Sequence, residues 1–119
     1  MEMITTKSDN FGKLSISENR RYLMEGDKPF FWLGDTAWLM FLKLDEDEIY
    51  TYLRNRKEKG YNVIQTVLIQ SPQDVESSQA PGRKDVKKSE YWEFVDRVLN
   101  MAEQMGLYIG LLPAWGSLV

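Results

Sequence analysis

The sequence contains neither cysteine nor histidine. Without cysteine the chain forms no disulfide and offers no thiol nucleophile, and without histidine it has no Ser-His-Asp triad. Zinc sites of the usual ligand type are excluded for the same reason. We therefore expect no metal and no cofactor, while the missing cysteine does not by itself fix a cellular compartment.

Long apolar runs and basic clusters are also scarce. No run approaches the ~20 residues of a membrane helix, and the N-terminus lacks the basic-then-apolar pattern of a signal peptide. We expect a cytoplasmic protein unless a signal has been removed. The net charge of −3, with dispersed lysines and arginines, argues against nucleic acid as a partner. The densest basic run, Arg83–Lys88, is interpreted as a solvated loop.

What remains is a composition suited to one small folded domain. Hydrophobic residues make up 43% of the 119 positions. Residues 1–12 are polar and are predicted to be a flexible lead-in, which leaves residues 13–119 as a single domain. The alternation in Leu14–Ser17, the short run Tyr22–Met24 and the aromatic run Phe30–Leu33, separated by turn residues, predict a small antiparallel meander.

Two stretches then change to helical spacing. Asp45 with Glu48 forms a capping-box pattern that predicts a helix over 46–59, which ends at Gly60. The acidic run that starts this helix is interpreted as capping rather than as a metal site. Ser89 is predicted to cap a second helix over 90–105, with its apolar stripe on Trp92, Val95, Leu99, Ala102 and Met105, and with Met101 and Met105 as core residues.

Each predicted helix is followed by a glycine and a β-branched or apolar strand. The segments 59–64 and 105–110 share this plan, so the order from Phe30 onward is β-α-β-α-β with parallel strands. Residues 71–88 between them are predicted to be a long loop. Sequential strands would place both helices on one sheet face and leave the other bare, so either the strand order is shuffled or the chain is part of a larger barrel.

Four blocks carry a family resemblance: LSISENRRYL at 14–23, KPFFWLGDTAW at 28–38, KGYNVIQ at 59–65 and GLYIGLLPAWG at 106–116. In this order they resemble the start of an apiosidase-like glycoside hydrolase, of the cellulase-type (β/α)8 barrel superfamily, found largely in bacteria. The resemblance covers about residues 13–116. It implies an α/β fold in which the meander packs near the base of a TIM barrel.

The resemblance also implies a function, the hydrolysis of O-glycosidic bonds in plant-type oligosaccharides. This reaction needs two carboxylates that flank the scissile bond. In such families both are expected on later strands, so the chain is expected to be a fragment without catalytic residues and inactive alone. A periplasmic or secreted location is implied if a signal peptide was removed.

Five residues are candidates for substrate binding because they lie near the carboxyl ends of the predicted parallel strands, where such barrels bind ligands. Asp35 follows the first strand and either caps the next turn, or contacts sugar hydroxyls or orients a catalytic carboxyl from elsewhere in the barrel. Trp38 and Trp115 offer faces that stack on sugars, or they pack over the barrel mouth. Gln65 and Gln70 are amides in or after an apolar strand. Trp32 and Trp92 are interpreted as core residues.

Two other classes of protein compete with the glycosidase fragment. A complete, self-associating carbohydrate-binding or scaffold module would cover the bare sheet face by pairing with a second copy. A small nucleotide-binding domain would need a glycine-rich turn between strand and helix, which the residues around Gly34 and Gly110 do not provide. The interpretation as part of a glycosidase accounts for all four sequence blocks, and we adopt it.

Overall fold

The computed structural model describes residues 11–71, 79–80 and 83–116. Helices in these ranges are α1 (Met40–Lys43), α2 (Glu46–Glu58) and α3 (Lys88–Met105). The strands are β1 (Leu14–Ile16), β2 (Leu23–Glu25), β3 (Lys28–Phe30), β4 (Gly34–Thr36), β5 (Val63–Ile69), β6 (Gln79–Ala80), β7 (Arg83–Lys87) and β8 (Tyr108–Ala114). No helix among the described residues is long and apolar enough to cross a membrane.

The predicted meander is present as an antiparallel sheet in the order β1-β2-β3. Its first turn is held by Ser17, whose hydroxyl accepts from the backbone N–H of Arg21 and Tyr22 and donates to Asn19 Oδ1. Arg20, with φ of 61°, takes the left-handed backbone conformation in this turn. The side chain of Asn19 contributes to the turn as well, since its Oδ1 also accepts from the backbone N–H of Arg21 at 3.2 Å.

The prediction of one strand over Phe30–Leu33 was wrong. The structure divides this run between β3, which ends the meander, and β4, which begins the parallel sheet. Residues 31–33 are an extended linker in which Phe31 is 78% exposed. The amide of Asn62 holds the linker, donating to the Phe31 carbonyl at 2.6 Å and accepting from Leu33 N–H at 2.8 Å. The Leu33 carbonyl also accepts from the backbone N–H groups of Asn62 and Val63, at 3.0 and 3.3 Å, so the pairing with β5 begins only at the end of this run.

The parallel sheet has the order β4-β5-β8, so its strands are sequential neighbours. This confirms the predicted β-α-β-α-β sequence and places α2 and α3 over one face, here called the helix face. The core lies there, between the sheet and both helices. It consists of Met40, Phe41, Ile49, Leu53, Ile64, Tyr91, Val95, Val98, Ala102, Met105 and Leu107.

The opposite side of the sheet, here called the inner face, carries alternate residues of each strand. From β5 these are Val63, Gln65, Val67 and Ile69. Among the described residues no helix covers this face, yet Val63 and Val67 are fully buried. Trp32 contributes to the cover, because a Cβ on Gly34 would lie 3.1 Å from its indole nitrogen. Trp32 is nonetheless 45% exposed, so its assignment to the core was wrong.

Helix α2 closely matches its predicted span. Asp45 Oδ1 accepts from the backbone N–H of Glu48, and Glu48 Oε1 accepts from that of Asp45, which completes the predicted capping box. Gly60 follows the helix with φ of 93°, as expected for a glycine at its end.

Helix α3 begins before the predicted start and carries a different apolar stripe. Ser89 lies inside its first turn and is not the cap, which is Lys87. Tyr91 is fully buried, whereas Trp92 is 38% exposed, so the assignment of Trp92 to the core was wrong. The buried stripe keeps helical spacing but starts at Tyr91 instead of Trp92. It consists of Tyr91, Val95, Val98, Ala102 and Met105. Met105 is a core residue as predicted, and Met101 packs against the core.

The segment predicted as one loop over 71–88 contains a small antiparallel pair of β6 with β7. The basic run Arg83–Lys88 is therefore strand and helix start rather than loop. Residues 72–78 and 81–82 lie outside the described residues, as do residues 1–10 of the predicted lead-in. The last residues of that lead-in are packed, since Phe11 lies against Tyr108 with ring centroids 4.3 Å apart.

Tyr108 fastens the meander to the base of the parallel sheet. Its hydroxyl donates to Glu25 Oε2 at 2.7 Å and accepts from the backbone N–H of Gly12 at 3.0 Å. The ring of Phe30 meets the Tyr108 ring edge to face. The meander therefore closes the end of the sheet at which β5 and β8 begin and leaves the opposite end open.

Candidate functional site

Three polar or aromatic side chains follow the parallel strands at the edge where these strands end. Trp38 comes two residues after β4, Gln70 directly follows β5, and Trp115 directly follows β8. Because the strands are parallel and neighbouring, their carboxyl ends meet at one edge of the sheet. Three of the five predicted site residues therefore lie together at the carboxyl-end edge of the parallel sheet.

These three residues are in direct contact, and we call them the Trp38–Gln70–Trp115 cluster. The indole rings of Trp38 and Trp115 meet edge to face, with centroids 5.1 Å apart and an interplanar angle of 71°. Gln70 bridges the two tryptophans: its Oε1 accepts from Trp115 Nε1–H at 2.8 Å, and its Nε2–H donates to the Trp38 carbonyl at 3.0 Å. Trp38 is 36% exposed, so part of the platform faces solvent.

Gln65 lies on the inner face, further toward the base of the sheet. Ile69, at the end of β5, lies four positions further along the strand, a distance of ~13 Å along the sheet. Its Nε2–H donates to Thr36 Oγ1 at 3.2 Å. On the other side, a Cβ on Gly110 would lie 3.3 Å from Gln65 Cγ, so the glycine leaves the space that the amide occupies. Gln65 therefore lies on the surface that leads to the cluster without touching it.

The structure places Asp35 on the helix face and not with the other four residues. Its Oδ2 accepts from the Tyr52 hydroxyl at 2.7 Å and lies 3.4 Å from Arg56 Nε. Its Oδ1 accepts from the backbone N–H of Thr36 at 2.9 Å. All these contacts are made with the chain itself. A contact between Asp35 and sugar hydroxyls stays a prediction.

The surroundings of Asp35 form a compact polar and aromatic group. Arg56 lies over the Tyr52 ring at 5.2 Å and over the Tyr61 ring at 5.7 Å, which places a cation on two aromatic faces. Burial, reinforced by the hydrogen bond to Asp35, raises the pKa of Tyr52 far above its ordinary value. The phenol therefore stays protonated and continues to donate to the carboxylate throughout the neutral range.

Thr36, Gly110, Tyr52 and Arg56 were not identified from the sequence. Tyr52 and Arg56 are four residues apart on α2, which puts both on one side of a helix, and this spacing was the available signal. The roles of Thr36 and Gly110 depend on strand register, since both pair with Gln65. Register cannot be derived before the start of β4 is known.

Two depressions in the surface of the described residues lie away from the cluster. One groove of about 590 Å³ runs along α2 and is lined in part by Leu44, Tyr52 and Arg56. Another of about 270 Å³ lies at the base, between the meander and Tyr108. Neither of these two depressions is lined by a cluster residue. Within the described ranges no three acidic side chains converge to hold a metal ion.

Comparison with known proteins gives consistent matches. A family model described as apiosidase-like, catalytic domain, matches residues 17–119. A solved glycoside hydrolase shares 39% identity over 90% of this chain and 26% of its own, with a TM-score of 0.71. A glycoside hydrolase family 5 crystal structure from Bacteroides vulgatus ATCC 8482 shares 30% identity over 98% of this chain and 27% of its own, with a TM-score of 0.77. No protein of curated function matches.

These matches confirm the family resemblance and the α/β fold class predicted from the sequence. The chain spans about a quarter of the length of the two glycoside hydrolases that it matches.

Proposed function

The chain belongs to the apiosidase-like glycoside hydrolases, and from this premise we propose that it supplies a carbohydrate-binding edge to a barrel that hydrolyses O-glycosidic bonds in plant-type oligosaccharides. The observation that carries the proposal is the Trp38–Gln70–Trp115 cluster at the carboxyl ends of β4, β5 and β8. Barrel enzymes place their substrates at this end of the strands.

The chemistry of the cluster suits a sugar ring. An indole face is apolar and broad, and the C–H face of a pyranose or furanose can lie on it while its hydroxyls remain available to polar neighbours. The Gln70 side chain bridges the two tryptophans and holds them in place, since its Oε1 accepts from Trp115 Nε1–H and its Nε2–H donates to the Trp38 carbonyl. Gln65 and Thr36 extend this polar surface along the inner face.

Hydrolysis itself needs more than this platform. One carboxyl group must protonate the leaving oxygen, and a second must act as nucleophile or activate a water. In β4, β5, β8 and the residue that follows each, Asp35 is the sole acidic side chain. Its carboxylate is turned to the helix face and contacts Tyr52. We propose that the acid and the nucleophile are supplied from outside these 119 residues.

The test is to titrate the full chain with a panel of plant cell-wall oligosaccharides and to follow tryptophan fluorescence and heat. We expect dissociation constants near the millimolar range, about −4 kcal/mol, since one stacking platform with few polar partners contacts the sugar. Trp38→Ala should abolish the binding. Trp92→Ala is the matched control, because Trp92 is 38% exposed against 36% for Trp38 but lies on α3.

A second arm measures turnover of aryl glycosides by the same chain. We expect no turnover above the uncatalysed rate, because a single carboxylate cannot be both proton donor and nucleophile. Clear turnover that Asp35→Asn abolishes would overturn the assignment of the catalytic pair to other segments. Binding that survives Trp38→Ala and is lost in Trp92→Ala would overturn the assignment of the platform.

A further inference from the structure

The contacts of the Thr36–Trp38 segment with β5 all lie on one side. The Ala37 N–H donates to the Gln65 carbonyl at 2.8 Å, and the Thr66 hydroxyl donates to the Ala37 carbonyl at 2.8 Å. One residue further, the Gln70 amide donates to the Trp38 carbonyl at 3.0 Å. These bonds and the bond from Gln65 Nε2–H to Thr36 Oγ1 at 3.2 Å hold the segment along the line where it meets β5.

Asp35 provides a contact that lies off this line. In a parallel ladder alternate residues bond to one neighbour, so Thr36 directs its N–H away from β5 when Ala37 bonds to it. Asp35 Oδ1 accepts that outward N–H at 2.9 Å. Asp35 Oδ2 accepts from Tyr52 on α2 at 2.7 Å. One carboxylate thus joins the free edge of β4 to the helix layer.

The helix side of this contact is itself held in place. The Tyr52 ring lies under the Arg56 guanidinium, which also covers the Tyr61 ring and lies 3.4 Å from Asp35 Oδ2. Leu53, beside Tyr52 in α2, is fully buried in the core. The Tyr52 hydroxyl therefore has a fixed position in α2, and its hydrogen bond to Asp35 restrains β4 relative to that helix.

We propose that Asp35 is a positioning residue: by linking β4 to Tyr52 and Arg56 it fixes the rotation of the Thr36–Trp38 segment and so sets the angle of Trp38 against Trp115. This inference rests on the proposed function for its biological meaning, since the platform is the sugar-binding surface. In this role Asp35 acts on the platform through Trp38. The sequence GDTAW at 34–38 then contains both the proposed binding residue, Trp38, and the residue that orients it, Asp35.

The test uses the full chain with Asp35→Asn, Asp35→Ala and Tyr52→Phe. The electronic transitions of two indoles 5.1 Å apart couple, so the pair gives an exciton couplet in far-ultraviolet circular dichroism. Trp115→Phe should remove this couplet and thereby assign it to the pair. Below the melting temperature, we expect Asp35→Ala and Tyr52→Phe to lose most of the couplet amplitude. We expect Asp35→Asn, which keeps one acceptor, to lose part of it.

Asp45→Ala is the control for simple destabilisation. Asp45 caps α2, the helix that carries Tyr52, but does not touch β4 or Trp38. It should lower the melting temperature and leave the couplet intact. Oligosaccharide affinity should fall by up to about tenfold in Asp35→Ala, because the platform would no longer be held ready for the sugar. Tyr52→Phe added to Asp35→Ala should have no further effect on the couplet, because both act through one contact.

Two results would overturn the proposed role of Asp35. A couplet that is unchanged in Asp35→Ala and in Tyr52→Phe while both variants remain folded overturns the proposal, whatever their stability. A couplet lost equally in Asp45→Ala also overturns it, since general loosening of α2 would then suffice. If the unmodified chain binds no oligosaccharide, the proposed function fails, but the couplet still reports whether Asp35 orients Trp38.

Discussion

Trp38 and Trp115 meet edge to face at 5.1 Å although they follow different strands, and the Gln70 side chain holds both. The pair exists because β4, β5 and β8 are sequential parallel neighbours whose carboxyl ends lie side by side. Each member comes from a different strand end, so the cluster forms only when the sheet has assembled. It is therefore a direct reporter of both the fold and the candidate site.

The bridge made by Gln70 should be essential to the geometry of the pair. Gln70→Ala removes the acceptor of Trp115 Nε1–H and the donor to the Trp38 carbonyl. We expect a loss of about 1–2 kcal/mol in the free energy of unfolding, since two hydrogen bonds disappear at a partly exposed site. The exciton couplet should weaken as well. Urea unfolding and circular dichroism measure the two effects, and a normal couplet in Gln70→Ala would contradict the bridging role.

Gly110 should matter through the space that it leaves for Gln65. In Gly110→Ala the new Cβ would lie 3.3 Å from Gln65 Cγ. Because Gln65 is partly exposed and flexible, we expect its amide to shift and to lose the bond to Thr36, with a stability change below about 1 kcal/mol. The side-chain amide signals of Gln65 in NMR spectra report the shift. Gly116→Ala, where no atom lies within 4 Å of the new Cβ, is the matched control.

Raising the pH should weaken the attachment of the meander. Burial, followed by the hydrogen bond to Glu25, raises the pKa of Tyr108 to about 12 from an ordinary 10.0. Between these two pKa values the folded chain keeps a proton that the unfolded chain has lost. The free energy of unfolding therefore falls as the pH rises. The stabilisation is complete below about pH 10 and disappears toward about pH 12.

The measurement is urea unfolding at several alkaline pH values. Tyr108→Phe should show a smaller decrease in unfolding free energy over this window, while Tyr52, whose pKa is also raised, accounts for part of the remaining slope. Tyr22→Phe serves as the control, because Tyr22 is 47% exposed and lies in the meander. An unchanged slope in Tyr108→Phe would contradict the assignment.

The contact of α2 with the sheet should dominate stability. Leu53 is fully buried among core residues of α2, α3 and β5. Leu53→Ala should cost about 2–5 kcal/mol, a large share of the stability of a small domain. Asn55→Ala, an exposed change on the same helix, should stay within about 0.5 kcal/mol. Equal effects of the two substitutions in urea unfolding would mean that α2 does not pack as described.

Much of the architecture could be predicted from the sequence because its signals are local. The capping box at Asp45 and the glycines at 60 and 106 mark helix ends within a few residues, and all three were correct. The apolar strands after these glycines follow from the same local reasoning. The two α-β units were therefore recognisable without any knowledge of tertiary contacts.

The errors concern decisions made by distant residues. The run 30–33 is apolar, but Asn62, about thirty positions further along, holds it as a linker and moves the strand start to Gly34. That shift decides which face each side chain takes, so the helix-face position of Asp35 could not be derived. Trp92 and Tyr91 are neighbours on a helix, and only the packing of α3 selects Tyr91 for the core.

Self-association through the inner face remains a prediction. The strands carry Ile69 and Leu112 there, both partly exposed. Sedimentation of the chain with and without Ile69→Lys would test it, since a charge on this face should shift any dimer to monomer.

The central claim is that the Trp38–Gln70–Trp115 cluster binds carbohydrate, and NMR of the indole N–H groups during oligosaccharide titration tests it most directly. The chain has four tryptophans, so four indole signals report on separate places. The account predicts that the signals of Trp38 and Trp115 shift together and saturably while that of Trp92 stays fixed. Signals of Trp38 and Trp115 that remain unmoved at saturating oligosaccharide, or a shift confined to Trp92, would contradict it.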